Sequence, residues 1–137
     1  MRQWPRSAIA ILSLILPLAA GACGVCIEDK VAATYDHDVV VKATREKQTV
    51  VFLEIEGLAT KAAPDREWLM RTIAKTPGVE RGSVRVSVEQ AAVSFAIHAG
   101  KHAPVEVQKS INKNLAAHRL QLKLIRLLYQ GSLSQPT

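Results

Sequence analysis

Cys23 and Cys26 are the only thiols in the 137-residue chain, and only Gly24 and Val25 separate them. Two thiolates at this spacing can both ligate one soft ion, Cu(I) or Zn(II), or they can close on each other. Cu(I) is satisfied by two or three ligands. Zn(II) takes four, so other donors would have to join. Glu28, Asp29 and His37 are the nearest in sequence. His37 follows Cys26 by 11 residues, about 16 Å along an unbroken helix. It joins the pair only if the helix begins late or if it comes from a second molecule. A free α-amine on Cys23 would be a further donor.

The pair supports two other chemistries. At a helix start, the dipole lowers a thiol pKa, which favours thiol–disulfide exchange. Thioredoxin-type enzymes also need a strand leading into the motif. None precedes Cys23 once an export signal is removed, so redox exchange ranks last. A plain disulfide closes a very small loop and stabilises little; it ranks second, and with it the chain would be a non-catalytic interaction module of the cell envelope whose sheet or exposed edge docks a partner. Metal binding by Cys23 and Cys26, with His37 as a distant third ligand, ranks first.

Other candidates are weaker. On a helix, Asp36, His37 and Asp38 point in different directions, which suits a solvated surface. His98 and His102 flank Gly100, which disfavours the helix that would align them. His118 and Arg119 suit the end of a helix, and Trp68 a half-buried core edge. No Ser-His-Asp set, paired-carboxylate site, phosphate loop or nucleotide fingerprint is present, and the expectation is a non-catalytic protein.

The segment before the pair sets the compartment. Arg2 and Arg6 precede an apolar run from Ala8 to Ala20. That run is shorter than the roughly 20 residues a spanning helix needs, and it fits a secretory signal. Ala20 and Ala22 supply the small residues for cleavage, making Cys23 the mature N-terminus of a periplasmic or secreted protein. The same residues also resemble a lipobox, although Ala20 stands where Leu, Val or Ile is preferred. The alternative is a lipoprotein anchored through Cys23. An oxidising compartment is compatible with either a disulfide or a bound ion.

Without its first 22 residues the chain has 115, enough for one domain. It then carries 16 Lys and Arg against 12 Asp and Glu, a net charge of +4. The cations are scattered and aromatics few, which excludes a nucleic-acid-binding stripe. The expected partners are a metal ion and possible envelope proteins, and no membrane-spanning segment is expected in the mature chain.

Four-residue spacing of Ile27, Val31, Tyr35 and Val39 predicts a helix over 27–46, although Val39-Val40-Val41 is strand-like. Val51, Leu53 and Ile55 alternate with Glu54 and Glu56 as a strand over 49–56. A helix from Asp65 to about Thr76 stops at Pro77-Gly78. Strands over 83–88 and 91–98 turn at Glu89-Gln90. Pro104 starts a helix striped by Val107, Ile111 and Leu115. Leu120, Leu122 and Leu124 mark a last strand. The strand–helix–strand–strand–helix–strand order is the split β-α-β plan of a ferredoxin-like α+β fold, with a four-stranded antiparallel sheet and both helices on one face. The domain divisions are 1–22 signal, 23–47 Cys-x-x-Cys segment and helix, 48–127 folded domain and 128–137 loose tail.

Three segments carry a family likeness. They are Thr49-Val50-Val51-Phe52-Leu53-Glu54-Ile55-Glu56-Gly57, Thr76-Pro77-Gly78-Val79 and Ser83-Val84-Arg85-Val86-Ser87-Val88. Over residues 48–126 the chain resembles the heavy-metal-associated domains of copper chaperones and metal-pumping ATPases. The resemblance implies the ferredoxin-like fold and metal handling. Those domains hold metal through Met-x-Cys-x-x-Cys in the first strand–helix loop. Here that loop, Gly57 to Pro64, contains no Cys, Met or His. The only Cys-x-x-Cys lies on the N-terminal extension instead.

Overall fold

The computed structural model describes residues 22–58, 64–129 and 132–134, with side chains over 27–58 and 64–129. The export signal expected over 1–22 lies outside these residues, except for Ala22. The elements are α1 (Ala22–Thr34), α2 (His37–Arg45), β1 (Thr49–Glu56), α3 (Arg66–Ala74), β2 (Arg85–Ser87), β3 (Ala92–Ile97), α4 (Pro104–Leu115), β4 (Gln121–Tyr129) and β5 (Ser132–Ser134). From β1 to β4 the order is the expected β-α-β-β-α-β. All pairings are antiparallel, and the strands lie in the order β2-β3-β1-β4-β5. The protein is α+β, with the four-stranded sheet read from the sequence and one short strand added beside β4.

One face of the sheet packs on α3 and α4. Val51, Leu53 and Ile55 from β1 meet Val93, Phe95 and Ile97 from β3 and the buried stripes Leu69/Ile73 and Val107/Ile111/Leu115. Each such side chain contributes about 1.5–3 kcal/mol on burial. The helix starts have local causes. The Asp65 carboxylate accepts from the Trp68 N–H at 2.7 Å and caps α3. Pro104 occupies the first turn of α4, where its missing N–H costs nothing.

The N-terminal segment departs from the single helix expected over 27–46. It forms two helices, broken at Tyr35 and Asp36. Asp36 is extended (φ −129°, ψ 117°), and its carboxylate accepts from the N–H groups of Asp38 and Val39 at 2.9 and 3.1 Å. That cap starts a new helix and ends the old one. The strand-like Val39-Val40-Val41 is helical, because Val39 is buried against the sheet and tertiary packing overrides propensity.

Both helices cover the sheet's second face. Val50 and Phe52 point there from β1, and pack with Val31, Val39, Ala43, Ala96, Ile125 and Leu128. Every residue of β3 is therefore buried, including the small Ala92, Ser94 and Ala96 that admit the helix backbone.

Two strands differ from their expected bounds. Residues 81–83 make a 3-10 turn, and β2 begins only at Arg85. The Ser83 hydroxyl donates to the Glu80 carbonyl and accepts from the Ala96 N–H, which holds the chain in that turn. Strand β4 shifts register between its partners Phe52 and Leu53, leaving Ile125 as a bulge residue. The bulge puts Ile125 on the second face, while Leu122 and Leu124 face α3 and α4. Pairing then continues through Tyr129 into β5, so residues placed in a loose tail from 128 onward include strand.

Candidate metal centre

Cys23 and Cys26 are the second and fifth residues of α1, about one turn apart at its N-terminal end. What holds α1 decides where the pair sits. Its polar contacts run across the sheet in strand order. Glu28 pairs with Arg126 on β4 and Lys30 with Glu54 on β1. On β3, the Ser94 hydroxyl donates to the Thr34 carbonyl at 2.7 Å, with both residues buried. Just past the helix, Arg85 Nε on β2 donates to the Asp36 carboxylate at 2.7 Å. Ile27 and Val31 add the apolar contact beneath.

The helix therefore lies across the strands, its start toward β4 and its end toward β2. A rise of about 1.5 Å per residue carries Cys26 about 3 Å and Cys23 about 7.5 Å farther along the axis than Glu28. Neighbouring strands lie about 4.8 Å apart. The backbone of the pair thus falls beyond β4, on the side of the sheet away from β2.

His37 goes elsewhere. It is the exposed first residue of α2, beyond the opposite end of α1. The helix from Cys26 to Thr34 alone spans about 12 Å. The structure does not bring the proposed third ligand to the pair. Glu28 is engaged by Arg126, and Asp29 stays exposed on the same helix.

The loop after β1 also differs from a thiol site. Gly57 has φ +97°, and a Cβ there would lie 2.3 Å from the Arg119 carbonyl oxygen. The glycine is required because Arg119, itself left-handed at φ 56°, comes up against the strand end. Residues 59–63 lie outside the described region.

The remaining candidates are occupied by structural contacts. His98 Nε2 lies 2.8 Å from the Gln48 amide, whereas the His102 ring packs over Gly78, so the two histidines diverge. His118 sits in a 3-10 turn rather than in the last turn of α4. Its ring meets Trp68 edge-on, with centroids 4.4 Å apart. Asp36 is committed as cap and ion-pair partner. The Arg85 guanidinium holds its carboxyl below the ordinary 3.8, and the Val39 N–H adds to this. Among the described residues, no three His, Cys, Asp or Glu side chains gather as a metal cluster.

A cavity of about 70 Å³ lies between α2 and the ends of β1 and β3, lined by Val39, Lys42, Gln48, Glu80, Gly82, Ser83 and Ala96. It has room for a few waters and is far below the several hundred Å³ of a cofactor site. Among the described residues, no helix is long and apolar enough to cross a membrane.

Sequence reading missed the residues that seat α1, namely Arg126, Lys30, Ser94 and Arg85. The available signal was Val50 and Phe52 on the same face as Glu54 and Glu56, beside the small residues of β3.

No family model matches the chain, and no curated protein matches it. Among solved structures, the crystal structure of oxidized MerP from Ralstonia metallidurans CH34 is similar at 19% identity and a TM-score of 0.43, covering 56% of this chain and 96% of that one. At that level the likeness identifies neither a family nor an activity.

Proposed function

We propose that this is an exported, non-catalytic protein that handles a soft metal ion through Cys23 and Cys26. The carrying observation is the placement of both thiol-bearing residues one turn apart at the start of a helix tied to all four main strands. Thiolates at a helix start gain from the dipole, and a seated helix fixes where they are presented. The β-α-β-β-α-β order supports the ferredoxin-like, heavy-metal-associated reading of the body. In this reading the body has moved its thiols from the loop after β1 to the N-terminal helix. His37 is not needed for a two-coordinate ion such as Cu(I).

The test is an anaerobic Cu(I) titration against a competing chelator. The expected result is about one ion per chain when Cu(I) is in excess, lost in the Cys23→Ser/Cys26→Ser variant. Identical curves for the two proteins would sink the proposal. Intact mass of envelope-derived protein tests the export step, because a lipidated Cys23 adds several hundred daltons and removes one thiol.

A further inference from the structure

We infer that the end of the molecule where α2 and α3 finish and α4 begins rests on an anionic lipid surface. The inference goes beyond the metal reading and does not depend on the thiols.

The sheet reaches that end in one row. Tyr129 pairs with Thr49, Thr49 with Ile97, and Ile97 bridges to Val79. Four cations gather around the row from three separate connections. Arg45 ends α2 and Lys47 follows its cap, leading into the row through Gln48, whose side-chain amide lies 2.8 Å from His98 Nε2. Lys101 follows β3, and its N–H donates to the His98 carbonyl at 2.9 Å. Lys75 is the C-cap of α3, just before Val79. The His102 ring lies over Gly78, so the turn after α3 meets the turn that carries Lys101. All four cations are exposed, and among the described residues none is in an ion pair. The nearby Glu80 and Glu106 are taken by Lys42 and Lys109, which leaves Glu46 as the unpaired acid of this end.

Elsewhere the charges cancel. Among the other described side chains, the cations outside ion pairs are Arg66, Arg81, Lys113, Arg119 and Lys123, and the acids are Asp29, Asp38, Glu56, Asp65 and Glu89. Five against five leaves no surplus, so the excess of three positive charges on the described side chains stands at this one end. Helix stability accounts for part of it, because Arg45 and Lys75 complement the dipoles of α2 and α3. It does not account for Lys101, which lies just before the first turn of α4, where the dipole disfavours a cation.

Two apolar side chains stand among these charges. Tyr129 is 52% exposed and Val105, the second residue of α4, is 50% exposed, the two highest values among the large apolar side chains. Strand alternation puts Tyr129 on the α4 side of the sheet with Leu127. Cations around exposed apolar groups match a bilayer interface. Each Lys or Arg near an anionic surface strengthens attachment about fivefold, and a tyrosine ring seats at the headgroup level. A nucleic acid calls instead for a cationic groove with several stacking rings, and Tyr129 is the one phenol or indole here.

The experiment is co-sedimentation of envelope-derived protein with phosphatidylglycerol vesicles and, in parallel, phosphatidylcholine vesicles, at low and high salt. A surplus of three charges gives a preference of about a hundredfold for the anionic vesicles at low salt, mostly lost at high salt. The preference is the readout, because a lipid on Cys23 would raise binding to both vesicles alike. Lys47→Gln/Lys75→Gln/Lys101→Gln should abolish it. Arg66→Gln/Lys113→Gln/Lys123→Gln removes as much charge from elsewhere and should leave it standing. Val105→Ser/Tyr129→Ser should weaken binding to the anionic vesicles about fivefold or more. Cys23→Ser/Cys26→Ser should keep the preference, which separates this inference from the metal reading. No preference in the wild type, equal loss in the two triple variants, or an unweakened Val105→Ser/Tyr129→Ser protein overturns the inference. Tight capture of poly-glutamate by protein that ignores the vesicles also overturns it, in favour of an acidic protein partner.

Discussion

Asp36→Ala tests the claim that a single carboxylate both breaks the N-terminal helix and seats it. The side chain accepts two backbone N–H bonds at the start of α2 and receives Arg85 Nε from the edge strand β2. Losing an N-cap costs about 1 kcal/mol. The ion pair adds less than about 1 kcal/mol, because solvent screens partly exposed charges, and the two side chains are 34% and 29% exposed. Together these give a loss of about 1.5–2 kcal/mol, or about 6–8 °C in Tm for a domain of this size. Asp36→Asn keeps a competent cap and loses only the charge, so it should cost less than about 1 kcal/mol. Urea unfolding followed by circular dichroism measures both. The pH dependence follows from the sign of the shift. Arg85 holds the folded carboxyl below its ordinary 3.8, so its stabilisation is fully present above that value and fades as pH falls below it. The advantage of wild type over Asp36→Asn should therefore be constant near neutrality and shrink in acid below 3.8. Asn as damaging as Ala, or a gap that widens in acid, would refute the reasoning.

Two further substitutions test the fold. Phe52→Ala should cost about 3–5 kcal/mol by calorimetry or denaturant unfolding, as expected for a large aromatic in a closed core; a loss below about 1 kcal/mol would mean that α1 and α2 do not cover that face. Gly57→Ala should destabilise by more than about 1 kcal/mol, because the residue has φ +97° and a Cβ would strike the Arg119 carbonyl. A neutral result there would show that the end of β1 is free to move away from the turn after α4.

The half built from α3, α4 and the sheet face they cover was legible because its sequence signals are local and repeated. Val51, Leu53 and Ile55 alternate at the strand period, Val107, Ile111 and Leu115 recur at the helix period, and Asp65, Gly78 and Pro104 punctuate the chain. The other half was not, because its causes are distant in sequence. Asp36 could be read as one acid among several on a helix until Arg85, 49 residues away, engaged it. Ser94 alternates with the apolar Val93 and Phe95, yet it is 1% exposed and bonds a helix carbonyl 60 residues upstream. The Ile125 bulge leaves no mark in a run of Leu, Ile and Lys, since either face accepts an apolar residue there.

By itself the sequence determined the two thiols, their spacing, the export signal as an expectation, and the order of elements that builds a four-stranded sheet. These depend on residue identity and on short-range periodicity, which one chain displays in full. Only the tertiary structure decided that the N-terminal segment breaks at Asp36, lies across the second face with its start toward β4, and sets Cys23 and Cys26 at the opposite end of α1 from His37. That outcome depends on which buried faces and charges meet across long stretches of chain, and no local pattern encodes such a meeting.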